Sequence, residues 1–203
     1  MSTGTIRDPE EHVKQAVRLV EEGFRAIKLR AHRPDWRKDI EVIRAVRDAV
    51  GDDVDIMVDA NQAWAYFPPY WSRRTALKVA RELEKLDVVW LEEPLPRHDI
   101  EGYAWLRSKV DVLIAGGELE RGFHRARELI EAGCFDVIQT DPNISGGLSD
   151  ARRIAVLAEA HGIWYCPHGW EPGLGLAANL QLMASLPEQV APYLEFPLDP
   201  PLT

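Results

Sequence analysis

Short apolar runs alternate with longer amphipathic segments along almost the whole chain. The runs predict strands, whereas the segments between them repeat their apolar residues every three or four positions and predict helices. Strands are predicted at 24–30, 54–59, 87–92, 111–115, 135–140, 163–167 and 193–196. Helices are predicted from Pro9 to just before Gly23 and at 39–50, 72–86, 100–108, 122–132, 148–161 and 174–186. The pattern indicates a series of strand–helix units.

This alternation predicts an α/β fold in which parallel strands form one sheet and the helices cover it. The runs at 88–91 and 112–115 are apolar throughout, which is typical of strands buried on both faces. The predicted strands outnumber those of a flavodoxin-like sheet, and no Gly-x-Gly-x-x-Gly turn follows an early strand. We therefore predict one domain over residues 1–203, a TIM-type (β/α)7β barrel rather than a doubly wound sheet.

The predicted barrel is incomplete at both ends. One more strand is needed before the first helix, and only Thr3 to Ile6 remain to form it. No helix follows the last predicted strand, because the sequence stops at Thr203 after a proline-rich stretch. We therefore expect a fragment of a longer architecture, with exposed sheet edges and apolar surface.

The composition limits the classes of partner. The 203 residues include 24 Lys and Arg against 33 Asp and Glu, and the net charge of −9 disfavours nucleic acid and anionic membranes. No apolar stretch is long enough to span a membrane, and the first residues lack the apolar core of a signal peptide. Cys134 and Cys166 show neither metal-type spacing nor a disulfide framework. We expect a cytoplasmic protein with reduced thiols.

Asp59, Glu92 and Glu118 each follow an apolar run, where a predicted strand ends. A single carboxylate at such a position is usually a helix cap or a turn residue. Three on consecutive parallel strands meet at one edge of the sheet and repel one another unless a cation lies between them. Oxygen ligands without Cys or His favour Mg²⁺, with Mn²⁺ as the alternative. Glu92 is preferred to Glu93, because strand alternation places it on the same side as Trp90.

Lys28 and Arg30 lie two residues apart on a predicted strand and therefore project to the same face. Alone, they would be interpreted as a solvated basic pair at a strand end. Close to a metal and an arginine, a lysine has the depressed pKa that a general base requires. Arg30 is a poor base, better suited to holding an anion or to lowering the pKa of Lys28.

Asp141 and His168 close the next two predicted strands. A lone histidine at such a place is as often structural as catalytic. A carboxylate on the neighbouring strand, however, orients the imidazole and raises its pKa, leaving the second ring nitrogen as acid or base. Glu195 ends the last predicted strand, where a salt bridge at the barrel rim is the alternative interpretation.

The order Lys-x-Arg, Asp, Glu, Glu, Asp, His, Glu on successive strands resembles the barrel domain of the mandelate racemase and muconate lactonizing family of the enolase superfamily. The resemblance runs from about Asp8 to Leu202. It rests on Val-Asp-Ala-Asn-Gln, Trp-Leu-Glu-Glu-Pro-Leu, Ala-Gly-Gly-Glu, Ser-Gly-Gly-Leu and Pro-His-Gly. One departure is Arg30, where the mandelate racemase group often has a second lysine.

The resemblance implies a role for each of these side chains. Mg²⁺ would be held by Asp59, Glu92 and Glu118, and would stabilise the enediolate that forms when the proton α to a carboxylate is removed. The other implied roles are a base on one face of the substrate for Lys28, an acid or base on the opposite face for His168 with Asp141, and a hydrogen bond to the substrate carboxylate for Glu195.

The implied substrate is a small carboxylate. We expect dehydration of a hydroxy or sugar acid, because His168 as an acid can protonate a departing hydroxide and residues 95–103 resemble acid-sugar dehydratases. Racemisation or epimerisation through Lys28 and His168, cycloisomerisation, and a truncated barrel that binds metal without turnover are the alternatives. A homo-oligomer is expected of the full-length protein. The capping domain that reads the substrate in family members has no counterpart in the sequence.

Overall fold

The computed structural model of the protein describes residues 2, 6–64, 68, 70–170 and 173–198. Within these residues, helices and strands alternate in the order α1 (Pro9–Glu21), β1 (Ala26–Arg30), α2 (Trp36–Val50), β2 (Asp55–Asp59), α3 (Arg73–Glu84), β3 (Val88–Glu92), α4 (Ile100–Arg107), β4 (Leu113–Gly116), α5 (Phe123–Glu131), β5 (Val137–Ile138), α6 (Gly147–Ala160), β6 (Trp164–Tyr165) and α7 (Leu174–Ala184). All strand pairs are parallel, and they follow chain order from β1 to β6.

Alternation along the strands separates two apolar regions. Ile27, Leu29 and Ile56 belong to the large core between the strands and the helices. The residues that alternate with such positions form a second, inner cluster: Met57, Trp90, Ala115, Val137 and Cys166. Side chains two residues apart on a strand share a face. Asp59 and Glu92 come two residues after Met57 and Trp90, so they lie on the same inner side.

The sheet is joined from its last strand back to its first through two irregular segments. The backbone N–H of Tyr165 in β6 donates to the carbonyl of Val190 at 2.8 Å. Ser2 forms parallel bridges with both Pro197 and Lys28 of β1. Backbone contacts therefore run in a closed ring around the inner cluster, as in a barrel.

The prediction of a parallel α/β barrel is confirmed, with two corrections. The predicted strand at 193–196 is wrong, because the backbone there forms no regular strand and the sheet bridge falls at Pro197. The second helix begins at Trp36 and not at Asp39, because Asp35 is the residue that caps it. Asp39 lies inside the helix and accepts hydrogen bonds from the Arg33 backbone and guanidinium.

The first strand expected from Thr3 to Ile6 falls mostly on residues 3–5, which lie outside the described residues. Ile6 itself belongs to no strand. Ser2 instead takes the sheet position beside β1.

None of the described helices is both long and apolar enough to cross a membrane. Cys134 and Cys166 are free thiols, and both are buried.

Candidate functional site

Three carboxylates meet where β2 and β3 end and the chain turns after β4. The strand register places Asp59 beside Glu92 and Glu92 beside Ala115. Glu118 follows Gly117, whose φ of +105° is a conformation that favours glycine. One oxygen atom from each of Asp59, Glu92 and Glu118 lies within 4.8 Å of the other two. Each of these residues is 3% exposed or less.

Glu92 is held by three donors from the barrel interior. Its Oε1 lies 2.6 Å from Nζ of Lys28. Its Oε2 accepts from Nε1 of Trp90 at 3.1 Å and from Nε2 of Gln139 at 2.7 Å. Together, these three donors fix the orientation of the Glu92 carboxylate.

Asp59 and Glu118 are oriented by the turns that follow β2. Oδ1 of Asp59 accepts from the backbone N–H of Asn61 at 2.8 Å, and Asn61 adopts a positive φ of 45° to donate this bond. Nε1 of Trp64 donates to Oε1 of Glu118. The turn after β2 therefore positions two of the three carboxylates.

Burial and mutual repulsion raise the pKa of carboxyl groups in this cluster. Burial, and then the charge of Glu92, raise the pKa of Asp59 to about 7 against the opposing charges of nearby cations. Burial raises the pKa of Glu118 as well, with His168 opposing the shift and Glu92 adding to it. The pKa of the buried Glu93 lies well above its usual range for the same two reasons, burial and neighbouring carboxylates.

The donor set fits a hard divalent cation. The cluster consists of carboxylates alone, and oxygen ligands of this kind suit Mg²⁺ or Mn²⁺. The raised pKa values of Asp59 and Glu118 mean that the folded chain holds their negative charges together at an energetic cost. A bound cation offsets that cost, so the residues present fit such an ion.

Lys28 lies in the barrel interior between two carboxylates. Its Nζ is 2.6 Å from Oε1 of Glu92 and 2.8 Å from Oε1 of Glu195. Burial lowers the pKa of Lys28, but the charges of Glu195 and Glu92 raise it, and the result is well above the ordinary lysine value. Carboxylates in direct contact therefore outweigh desolvation, whereas the depressed pKa was expected for a lysine beside a metal ion.

Arg30 and Lys28 lie on the same inner face, as the spacing predicts, but at different heights along the strand. The register pairs Lys28 with Met57 and Arg30 with Asp59. The side chain of Arg30 is 31% exposed, whereas that of Lys28 is 9% exposed. Nη2 of Arg30 lies 3.6 Å from Oδ2 of Asp59. The two cations thus stand in successive layers, with Arg30 nearer the open end of the barrel.

His168 and Asp141 form the expected pair. Nδ1 of His168 lies 2.9 Å from Oδ2 of Asp141, and Nε2 lies 3.6 Å from Oε2 of Glu118. Burial lowers the pKa of His168, but Glu118, the bond to Asp141 and Glu195 raise it, and the net value is about 10. Asp141 is itself fixed by Asn143, whose backbone N–H and side-chain amide both donate to Oδ1 at 2.8 Å.

Glu195 is buried beside Lys28 rather than placed in a salt bridge at the exposed rim. Its Oε1 contacts Nζ of Lys28, and its Oε2 accepts from the backbone N–H of Gly169 at 3.1 Å. Burial raises the pKa of Glu195, but the charges of Lys28 and His168 outweigh it and hold the pKa well below its usual range.

Gln139 is one of the supporting contact residues that the sequence analysis did not identify. Its amide donates to Glu92, and its other side-chain atom, Oε1, is buried without a hydrogen-bond partner among the described residues. The sequence position of Gln139 was the available signal. Gln139 lies two residues after Val137, which belongs to the inner cluster, and two residues before Asp141, so strand alternation places it on the inner face.

Known proteins are similar to this chain over nearly its whole length. A family model described as enolase C-terminal domain-like matches residues 11–200. The L-talarate/galactarate dehydratase of Salmonella typhimurium is 36% identical over 195 residues, which cover 96% of this chain and 46% of that protein.

Solved structures share the fold. The 3,6-anhydro-D-galactonate cycloisomerase of Zobellia galactanivorans superposes with a TM-score of 0.87 at 30% identity, covering 98% of this chain and 53% of that one. A racemase of Streptomyces coelicolor with bound magnesium gives a TM-score of 0.84 at 30% identity, covering 97% and 55% of the two chains. The chain therefore spans about half the length of the proteins it matches.

Proposed function

Because this chain belongs to the enolase C-terminal domain-like family, we propose that it is the barrel unit of a Mg²⁺-dependent enzyme that removes the proton α to a carboxylate. The favoured reaction is elimination of water from a hydroxy or sugar acid. One observation carries the proposal: the carboxylates of Asp59, Glu92 and Glu118 converge within 4.8 Å, and the imidazole of His168 lies against that cluster.

Asp59, Glu92 and Glu118 are the residues that would hold the ion. When bound, Mg²⁺ supplies the positive charge that stabilises the substrate carboxylate as its α-proton leaves. The protein's own contribution is to fix the three carboxylates through Asn61, Trp64, Lys28, Trp90 and Gln139, since such supporting contacts tune a metal site.

His168 is the proposed proton-transferring residue. A proton on Nδ1 satisfies the contact with Asp141 and leaves Nε2 to exchange a proton with the ligand. In the dehydration, Nε2 of His168 would take the α-proton, the electrons of the α C–H bond would form a C=C bond, and the β C–O bond would break. The same proton would pass from Nε2 to the departing oxygen, which leaves as water, and the enol product would tautomerise to a 2-keto-3-deoxy acid.

Lys28 and Glu195 are proposed to act as a pair. Nζ of Lys28 joins Glu92 to Glu195, so the ammonium holds a metal-ligand candidate in place and neutralises charge deep in the site. A hydrogen bond from Glu195 to the substrate carboxylate would need a protonated carboxyl, whereas the charges of Lys28 and His168 favour its ionised form. We therefore assign Glu195 to holding the Lys28 ammonium in place.

Racemisation and cycloisomerisation begin with the same proton removal, and similar proteins are named for each. The contacts of Lys28 favour dehydration over a symmetrical two-base racemase, because its amine is engaged by two carboxylates. Exchange of the α-proton with solvent deuterium, without loss of water, would favour the isomerase alternatives instead.

The direct test is incubation of the purified protein and Mg²⁺ with galactarate, L-talarate and a panel of aldonates. We expect a 2-keto-3-deoxy product from at least one acid, abolished by EDTA and restored by Mg²⁺. Neither product nor α-proton exchange with any acid, in protein shown to bind Mg²⁺, would contradict the proposal.

A further inference from the structure

Asn179 is a polar residue on the buried face of α7. It lies in the middle of the helix, is 0% exposed, and shares that face with Gly175 and Leu182. Burying an amide is costly unless it is hydrogen-bonded, and asparagine is a weaker helix former than leucine or alanine. The presence of Asn179 is explained by the group that its amide contacts, which lies outside α7.

The amide of Asn179 reaches the turn that carries the proposed proton-transferring residue. Its Nδ2 donates to the backbone carbonyl of His168 at 3.1 Å. Its Oδ1 is buried and has no hydrogen-bond partner among the described residues. On the other side, the backbone N–H of His168 donates to the carbonyl of Gln139 at 3.3 Å. The main chain of His168 is therefore held from two directions, by the end of β5 and by α7.

Gly169 allows the amide of Asn179 to come this close. A Cβ atom at Gly169 would lie 2.9 Å from Nδ2 of Asn179 and 3.3 Å from the backbone oxygen of Glu195, so a larger residue would overlap the amide. The backbone N–H of Gly169 also donates to Oε2 of Glu195 at 3.1 Å. The turn at His168 and Gly169 thus joins α7 to two side chains of the site.

Building on the proposed function, we propose that Asn179 is a positioning residue for His168. Asp141 fixes the imidazole ring through Nδ1, whereas Asn179 fixes the backbone from which that ring projects. Both are needed to keep Nε2 directed toward the carboxylate cluster, where it lies 3.6 Å from Oε2 of Glu118. Asn179 therefore acts on the proton transfer through His168 and is not itself among the converging carboxylates.

The kinetic test uses Asn179→Leu and Asn179→Ala, which both remove the donor and place a better helix former in α7. Each should lower kcat by about 10- to 100-fold, because misplacing a reacting group by up to about 1 Å has an effect of this size. KM and the affinity for Mg²⁺ should stay close to their native values. Leu182→Ala, at a buried core position of the same helix, should lower the melting temperature but keep the native kcat.

A second readout does not depend on turnover. In protein labelled with ¹⁵N-histidine, NMR follows the exchange of the His168 Nδ1 proton with solvent, and the signal is assigned by its absence in His168→Asn. This exchange should become about 10-fold faster in both Asn179 variants, the order expected when one hydrogen bond that restrains local opening is lost. In Leu182→Ala it should stay at the native rate.

The two readouts separate this inference from the proposed function. A native exchange rate in both Asn179 variants would overturn the positioning role, whether or not the protein turns over an acid. Failure of the native protein to convert any acid of the panel would overturn the proposed function, and faster exchange in the Asn179 variants would still support the positioning of His168.

Discussion

Nδ1 of His168 lies 2.9 Å from Oδ2 of Asp141, and this contact turns the opposite ring nitrogen toward Glu118, at 3.6 Å from Oε2. Asp141 is wholly buried and is fixed in turn by Asn143. The imidazole is therefore held in one orientation, with one nitrogen committed to the protein and the other facing the carboxylate cluster.

Replacing Asp141 by Asn should lower kcat by about 100-fold, because general acid–base catalysis of this size depends on the orientation and charge of the imidazole. Mg²⁺ affinity should change little, since Asp141 is not among the converging carboxylates. Steady-state kinetics with the best acid of the panel measures the first, and calorimetry the second. Asp48→Asn, at an exposed position of α2, is the matched control. A kcat equal to that of the native protein would show that the contact between Asp141 and His168 is not needed for the proton transfer.

Replacing Gln139 by Leu should weaken Mg²⁺ binding by about 10-fold or more, because it removes the donor that holds Oε2 of Glu92. The comparison is Gln181→Leu, an exposed position of α7. Calorimetric titration with Mg²⁺ gives the affinities of both variants. Equal affinities would show that Trp90 and Lys28 suffice to orient Glu92.

His12 should contribute a loss of stability as the pH falls from about 7 toward 4. Its Nε2 accepts a hydrogen bond from the Arg7 backbone. Burial, then the charges of Arg33 and Arg7, lower its pKa from 6.5 to about 4. Between these two values, His12 is protonated in the unfolded chain and neutral in the folded chain. The contribution of His12 to the free energy of unfolding, present above pH 6.5, therefore falls by about 2 kcal/mol between pH 7 and 5.

Urea unfolding at several pH values measures this loss. His12→Gln should remove this contribution, so the free energy of unfolding of the variant relative to the native protein should rise by about 2 kcal/mol between pH 7 and 5, whatever the effect of the substitution on absolute stability. His98→Gln, at an exposed position, should leave the slope unchanged. The same slope in His12→Gln as in the native protein would assign the pH dependence to other groups.

The parallel barrel and the candidate ligands were predictable because both follow from periodicity. Parallel strands bring their carboxyl ends to one edge, so an acidic residue after each of three apolar runs had to converge there. The two-residue spacing also placed Lys28 and Arg30 on one face of their strand. Alternation along a strand does not show how deeply a side chain is buried or what it contacts. The ion pairs of Lys28 with Glu92 and Glu195 are therefore seen only in the structure.

The irregular parts of the ring were not predictable from the sequence. Residues 193–196 have a strand-like apolar pattern, yet the sheet bridge falls at Pro197 and is made to Ser2. A single bridge leaves no periodic signal. Gln139 was missed for a related reason, because an amide at a strand end gives no sign of which carboxylate it will contact.

If Asp59, Glu92 and Glu118 form one divalent-ion site, calorimetric titration of native and Asp59→Asn protein with Mg²⁺ will show it. We expect one bound ion per native chain and a loss of affinity of at least about 100-fold in Asp59→Asn, because a charged ligand is removed. The variant should also unfold no more readily than the native protein in EDTA, since it relieves carboxylate repulsion. Equal Mg²⁺ affinity in the two proteins would show that these three carboxylates do not share an ion.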